Sequence, residues 1–196
     1  MRKIAVFCGS SVGFDPIYKQ AAIQLGNAFV KRDITLVYGG GKIGLMGVLA
    51  ETVLNQGGKV IGVIPELLKK KEVVDCNVTE LIVTQTMSER KVVMSKLSDG
   101  YISLPGGFGT LDELFEGITM SQLHIEEKPN ALLNTNGYYD HLLSQIERMI
   151  ADGFVKSSNK ELLIVSRTVE DLIDKMLAYT PQKKLPVTSK IVIHDD

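Results

Sequence analysis

Short apolar runs rich in β-branched residues alternate along the chain with longer stretches of helical periodicity. The runs fall at 4–7, 34–38, 60–64, 81–84, 101–104, 131–133 and 162–165. None alternates strictly between apolar and polar, as expected of strands covered on both faces. The helical stretches lie near 16–32, 44–56, 87–98, 109–124, 138–151 and 169–178. Strands alternating with helices predict right-handed βαβ units, hence an α/β fold with a doubly wound, mostly parallel sheet and helices on both faces. Residues 1–178 read as a single domain. From Tyr179 the character changes: Pro181, Pro186 and several lysines precede a strand-like run at 190–193, so 179–196 reads as a C-terminal tail or an extra edge strand.

Composition narrows the partners. The 196 residues are 44% hydrophobic and 23% charged, ordinary values for a globular chain, and the formal net charge is −1. That balance favours neither nucleic acid nor a membrane surface, so any anion site must be local. No apolar run approaches the roughly 20 residues of a membrane span, and Met1 to Cys8 lacks the features of a secretory signal. A cytoplasmic protein is expected. Cys8 and Cys76 sit in or beside apolar segments and read as buried free thiols. His124, His141 and His194 have no metal-ligand spacing, and no Gly-x-Ser-x-Gly elbow occurs; neither a metal site nor a serine nucleophile is expected.

The strand ends carry the chemistry. In open α/β sheets, ligands bind beyond the carboxyl ends of the strands. Three of those ends are rich in glycine: Cys8-Gly9-Ser10-Ser11, Tyr38-Gly39-Gly40-Gly41-Lys42-Ile43-Gly44 and Leu104-Pro105-Gly106-Gly107-Phe108-Gly109-Thr110. Glycine lets backbone N–H groups approach a ligand, and a following helix N-terminus adds partial positive charge. Three such loops on one edge point to a phosphate-bearing ligand, with tight βα turns as the plain alternative. None has the spacing of a P-loop or a dinucleotide fingerprint. Thr110 and Glu113 have capping-box spacing, and Asp112 and Glu116 suit a helix N-terminus through the dipole. Thr86 and Glu89 repeat the spacing, but Arg90 and Lys91 follow, where cations oppose the dipole. They are either a solvated pair or cations aimed at an anion. Met87, Met94 and Leu97 share the Arg90 side of that helix and read as packing that holds Arg90 at a buried edge.

Met87-Ser88-Glu89-Arg90-Lys91 followed by Pro105-Gly106-Gly107-Phe108-Gly109-Thr110-Leu111-Asp112-Glu113 resembles the Lonely guy family of cytokinin-activating phosphoribohydrolases, whose signature is Pro-Gly-Gly-x-Gly-Thr-x-x-Glu with an Arg-Lys pair one helix and one strand upstream. Val6 to Ser11, Tyr38 to Gly41, Gly44 to Gly47, Ile61 to Pro65, Lys128-Pro129 and Asn136 to Tyr139 also look like the family. The likeness covers roughly residues 1–178. It implies a Rossmann-like fold, a homodimer, and hydrolysis of a nucleoside 5′-monophosphate to free base and ribose 5-phosphate, with no cofactor. The family's catalytic residues fall on Arg90 and Glu113. Its substrate-binding positions fall on Glu72, Lys91, Gly107, Phe108, Gly109, Thr110, Leu111, Asp112 and Thr119. Gly9, Ser10, Gly40 and Glu116 are further candidates, Glu116 as a second carboxylate. Members have been labelled lysine decarboxylases, but no constellation for a pyridoxal cofactor is visible. Ser88 and Met120-Ser121 depart from common family residues, which bears on the base pocket or dimer contact. The same fold and a Pro-Gly-Gly-type loop also resemble molybdenum-cofactor carrier proteins, so a non-enzymatic carrier is the alternative.

Overall fold

A computed structural model describes residues 1–69 and 77–181. Seven strands form one sheet: β1 (Lys3–Phe7), β2 (Thr35–Tyr38), β3 (Val60–Pro65), β4 (Glu80–Thr84), β5 (Gly100–Ser103), β6 (Asn130–Leu133) and β7 (Leu163–Ser166). Their order is β4-β3-β2-β1-β5-β6-β7, and every pairing is parallel. The expectation of a mostly parallel sheet is thus exceeded among the described residues. The helices are α1 (Pro16–Lys31), α2 (Gly44–Asn55), α3 (Glu66–Lys69), α4 (Met87–Leu97), α5 (Phe108–Gln122), α6 (Asp140–Ala151) and α7 (Val169–Leu177). The sequence gives no periodic signal for α3, a single turn directly after β3. Lys69 ends it, paired with Glu66 at 4.0 Å.

Strand β1 explains why apolar-polar alternation is missing. Its residues point alternately to two faces, and both are covered. Ile4 and Val6 join a core with α1, α2 and α7, through Leu25, Phe29, Leu49, Val53 and Leu172. Ala5 and Phe7 join a second core with Met94 of α4. A third, built on Leu114, Leu132 and Tyr139, seats α5 and α6. Local signals start two of the helices. Asp15 caps α1 by accepting from the Ile17 N–H at 2.9 Å, and Pro16 occupies the first turn. Thr86 caps α4 by accepting from the Glu89 N–H at 3.1 Å, while the Glu89 carboxylate accepts from the Gln85 N–H at 2.7 Å. This is a capping box in function, with its return bond one residue early.

The chain runs outward from β1 to β4, returns through α4 to β5 beside β1, and runs outward again to β7. The strand order therefore reverses between β1 and β5, the point at which doubly wound sheets open a crevice for ligand. The loops leaving β1 and β5 flank it.

Candidate active site

At the crevice the loops are knitted together by their own backbone. The Gly9 N–H donates to the Pro105 carbonyl at 3.1 Å, and the Leu45 N–H donates to the Gly9 carbonyl at 3.0 Å. Gly9 thus joins three strand-end loops, with both backbone groups engaged inside the protein. A methyl on Gly106 would lie 2.2 Å from the Thr110 hydroxyl oxygen and 2.8 Å from the Gly9 nitrogen, so only glycine fits there. Gly40 is buried on Ile64, while Ser10 is exposed at the rim. Gly107 and Gly109 face open space.

The capping-box reading of Thr110 and Glu113 fails. Helix α5 begins at Phe108 with Gly107 at its N-cap, and no side chain caps it. Thr110 lies inside the first turn, buried against Gly106. Intrahelical bonding starts with the Leu111 N–H donating to the Gly107 carbonyl at 3.2 Å. The N–H groups of Phe108, Gly109 and Thr110 precede it and have no intrahelical partner. The Phe108 side chain is 93% exposed, while Leu111 packs inward against the α5–α6 core.

One turn further on, Glu113 meets Arg90. Arg90 Nη2 lies 3.4 Å from Glu113 Oε1, and the two side chains are 11% and 12% exposed. Burial pushes the Glu113 carboxyl up to about 7, against the pull of Arg90 and with a push from Asp112. Arg90 reaches this position because residue 39 is glycine. A methyl on Gly39 would lie 2.4 Å from Arg90 Nη2 and 3.2 Å from Met46 Sδ. The buried Arg90 Nε has no hydrogen-bond partner among the described residues, which leaves one guanidinium donor unspent. Gly39→Ala should therefore lower kcat/KM by about 100-fold, the scale of a displacement near 1 Å, with little change in Tm. Wild-type kinetics in that variant would contradict the contact.

Lys91 forms a second charged group beside the first, at 2.7 Å from Glu116 Oε2 and 3.2 Å from Asp112 Oδ2. The Glu116 contact above all holds its ammonium above the usual lysine range. Glu113, Glu116 and Lys91 line a cavity of about 240 Å³ between α4 and α5, together with Phe7, Tyr101 and Met120. Thr119 is exposed on α5, about 9 Å along the helix axis from Glu113 at 1.5 Å per residue. Cys8 is buried beside the crevice, where burial first and the Glu113 charge second push its thiol up and keep it unreactive. Met87, expected as packing, is instead exposed, with its sulfur 4.0 Å from Arg90 Nη1. Met94 is buried as expected. Glu72, Cys76 and the strand-like run at 190–193 lie outside the described residues.

Sequence reasoning missed three long-range features. The Gly39–Arg90 contact is one. The second is a polar cluster in which the Ser95 and Tyr101 hydroxyls donate to Glu126, and Lys128 Nζ donates to the Ser95 carbonyl at 2.8 Å and lies 3.4 Å from Glu126. The third is a pair of tyrosines, Tyr138 and Tyr139, bonded to the loop after β5. Only the recurrence of Asn136 to Tyr139 among family-like segments hinted at the last.

Residues 46–176 match the family described as "Possible lysine decarboxylase". A cytokinin riboside 5′-monophosphate phosphoribohydrolase of Arabidopsis thaliana is 44% identical over 189 residues, covering 96% of this chain and 89% of that protein. A second from the same plant is 46% identical over 180 residues, covering 92% and 84%. Among solved structures, the molybdenum cofactor binding protein of the phototrophic bacterium Rippkaea orientalis superposes with a TM-score of 0.68 at 24% identity, over 90% of this chain and 96% of that one. The molybdenum cofactor carrier protein of Chlamydomonas reinhardtii gives 0.67 at 21% identity, over 90% and 98%. At these identities the structural likeness speaks to the fold alone.

Proposed function

The chain belongs to the family of cytokinin riboside 5′-monophosphate phosphoribohydrolases, and from that premise we propose that it hydrolyses the N-glycosidic bond of a nucleoside 5′-monophosphate, a cytokinin riboside monophosphate or AMP, to free base and ribose 5-phosphate. The observation that carries the residue roles is the buried Arg90–Glu113 pair one turn beyond the uncapped start of α5.

The substrate phosphate rests on the N–H groups of the Gly107 to Thr110 segment, where the helix dipole favours an anion. The anomeric carbon then lies toward Glu113. As the C1′–N bond breaks, its electron pair leaves on the base and positive charge builds on the ribose ring, as in glycoside hydrolysis. The Glu113 carboxylate stabilises that charge and takes a proton from the attacking water, whose oxygen bonds to C1′. The proton passes on to the departing base or to solvent. Arg90 anchors the phosphoribosyl part, using the fork donors that Glu113 leaves free. Lys91 adds positive charge at the rim, held by Asp112 and Glu116. No step calls for a cofactor or a metal.

A base must be ionised to take a proton. With its carboxyl near 7, Glu113 is mostly protonated at pH 5 and mostly ionised at pH 8. Because kcat/KM reports the free enzyme, kcat/KM is expected to rise across that interval with a midpoint near 7; a profile flat from pH 5 to 8 would contradict the role of Glu113 as base.

Residues 1–178 act as one domain, the active form is a homodimer, and the site of action is the cytoplasm. Half-covered Leu143, Ile146 and Met149 of α6, beside Phe115 and Ile118 of α5, line an apolar groove that suits a second copy. No described helix is long and apolar enough to cross a membrane. Light scattering that gave only the 21.5 kDa monomer would remove the dimer. The activity is tested by incubating the protein with AMP and with isopentenyl-AMP and resolving free base by chromatography. Preference for isopentenyl-AMP supports cytokinin activation, and comparable efficiency on AMP supports purine salvage. No base from either leaves the cofactor-carrier reading.

A further inference from the structure

Three successive carbonyls of the loop after β5 are each tied down from a different direction. The Leu104 carbonyl accepts from the Tyr139 hydroxyl at 2.7 Å. The Pro105 carbonyl accepts from the Gly9 N–H at 3.1 Å. The Gly106 carbonyl accepts from the Tyr138 hydroxyl at 2.7 Å. The Gly106 bond bears most directly on ligand binding. In a planar trans peptide the C=O and the following N–H point in opposite directions. Fixing the Gly106 carbonyl on Tyr138 therefore turns the Gly107 N–H the other way, at a residue where an added Cβ would meet nothing within 4 Å. It also keeps a carbonyl dipole from pointing at an anion on the α5 N-terminus.

The two tyrosines are presented side by side by a purpose-shaped turn. After β6, Asn136 and Gly137 both take left-handed backbone, at φ 53° and 70°. The Asn134 side chain accepts from the Tyr139 N–H at 2.8 Å and donates to Asp140 Oδ1 at 2.7 Å. Their rings then meet edge to face at 4.8 Å, and Tyr138 meets Tyr18 in the same way at 5.7 Å. The rings differ in setting. Tyr139 is buried, and burial pushes its hydroxyl up so that it stays a donor. Tyr138 is 44% exposed at the rim.

Building on the function proposed above, we propose that Tyr138 is a positioning residue: by holding the Gly106 carbonyl it aims the loop's N–H groups at the substrate phosphate and so sets selectivity for 5′-phosphorylated over unphosphorylated nucleosides. Tyr139 anchors the base of the same loop as part of the core.

Tyr138→Phe tests this, because it keeps the ring and both edge-to-face contacts and removes only the hydroxyl. Binding is read by calorimetry with AMP and with adenosine, independently of turnover, so the test stands even if the wild type releases no base. The expected result is AMP affinity reduced about three- to tenfold, the scale of one neutral hydrogen bond, with adenosine affinity unchanged. Where base release is measurable, KM for AMP rises by the same factor while kcat changes by less than about twofold, since Glu113 and Arg90 lie outside the loop. AMP affinity equal to wild type overturns the proposal. So does an equal loss for AMP and adenosine, which marks a general disturbance of the site.

Discussion

Replacing Glu113 by Gln is expected to stop base release and to leave the nucleotide bound. The amide is nearly isosteric and can still face Arg90, so the fold and the helix start that receives the phosphate are retained. What disappears is the charge opposite the anomeric carbon and the ability to take a proton from water. A positioned general base contributes about 10²–10⁴ in rate, and here the same group also stabilises the ring cation, so kcat is expected to fall by about 10³ or more. AMP affinity by calorimetry should stay within a few-fold of wild type. Full activity in this variant would refute the catalytic assignment.

Arg90→Ala is expected to lose both binding and turnover. The guanidinium fills the space against Gly39 and Met46 and faces Glu113 at 3.4 Å. Removing it takes away charge-assisted donors worth about 1.5–3 kcal/mol each, which predicts AMP affinity lower by about 10- to 100-fold. It also strips the buried Glu113 of a cation that pulls its carboxyl down, so that carboxyl rises from about 7 and less of it is ionised at neutral pH. Arg90→Lys should not rescue, because an ammonium cannot reproduce the fork. Calorimetry showing unchanged AMP affinity in Arg90→Ala would remove Arg90 from the site.

Apart from α3, the strands and helices are legible because they announce themselves locally. Apolar runs without alternation mark the strands, as the covered central strands require, and Thr86 to Glu89 mark the start of α4. Strand order was not legible, since nothing in the residues of β5 says that it returns to pair with β1. Yet that return sets the Arg90 helix and the Glu113 helix on either side of one crevice.

The start of α5 shows where spacing misleads. Thr110 and Glu113 stand three apart like a capping box, but the hydroxyl of Thr110 is packed on Gly106, a contact fixed by the loop's path rather than by helix propensity. The helix consequently starts earlier and uncapped, and its free N–H groups become available to a ligand. Gly39 teaches the same lesson. In sequence it is part of a glycine-rich loop suited to approaching a ligand, whereas its missing side chain makes room for an arginine 51 positions later. The Tyr138 and Tyr139 bonds to the loop after β5 span 32 and 35 positions, beyond the reach of any local pattern.

The most direct test of the central claim is the stoichiometry of products from AMP and isopentenyl-AMP, measured side by side for the wild type and Glu113→Gln. One free base for each ribose 5-phosphate is expected from the wild type, and neither product above background from the variant. No base from the wild type, or equal release from both proteins, would contradict it.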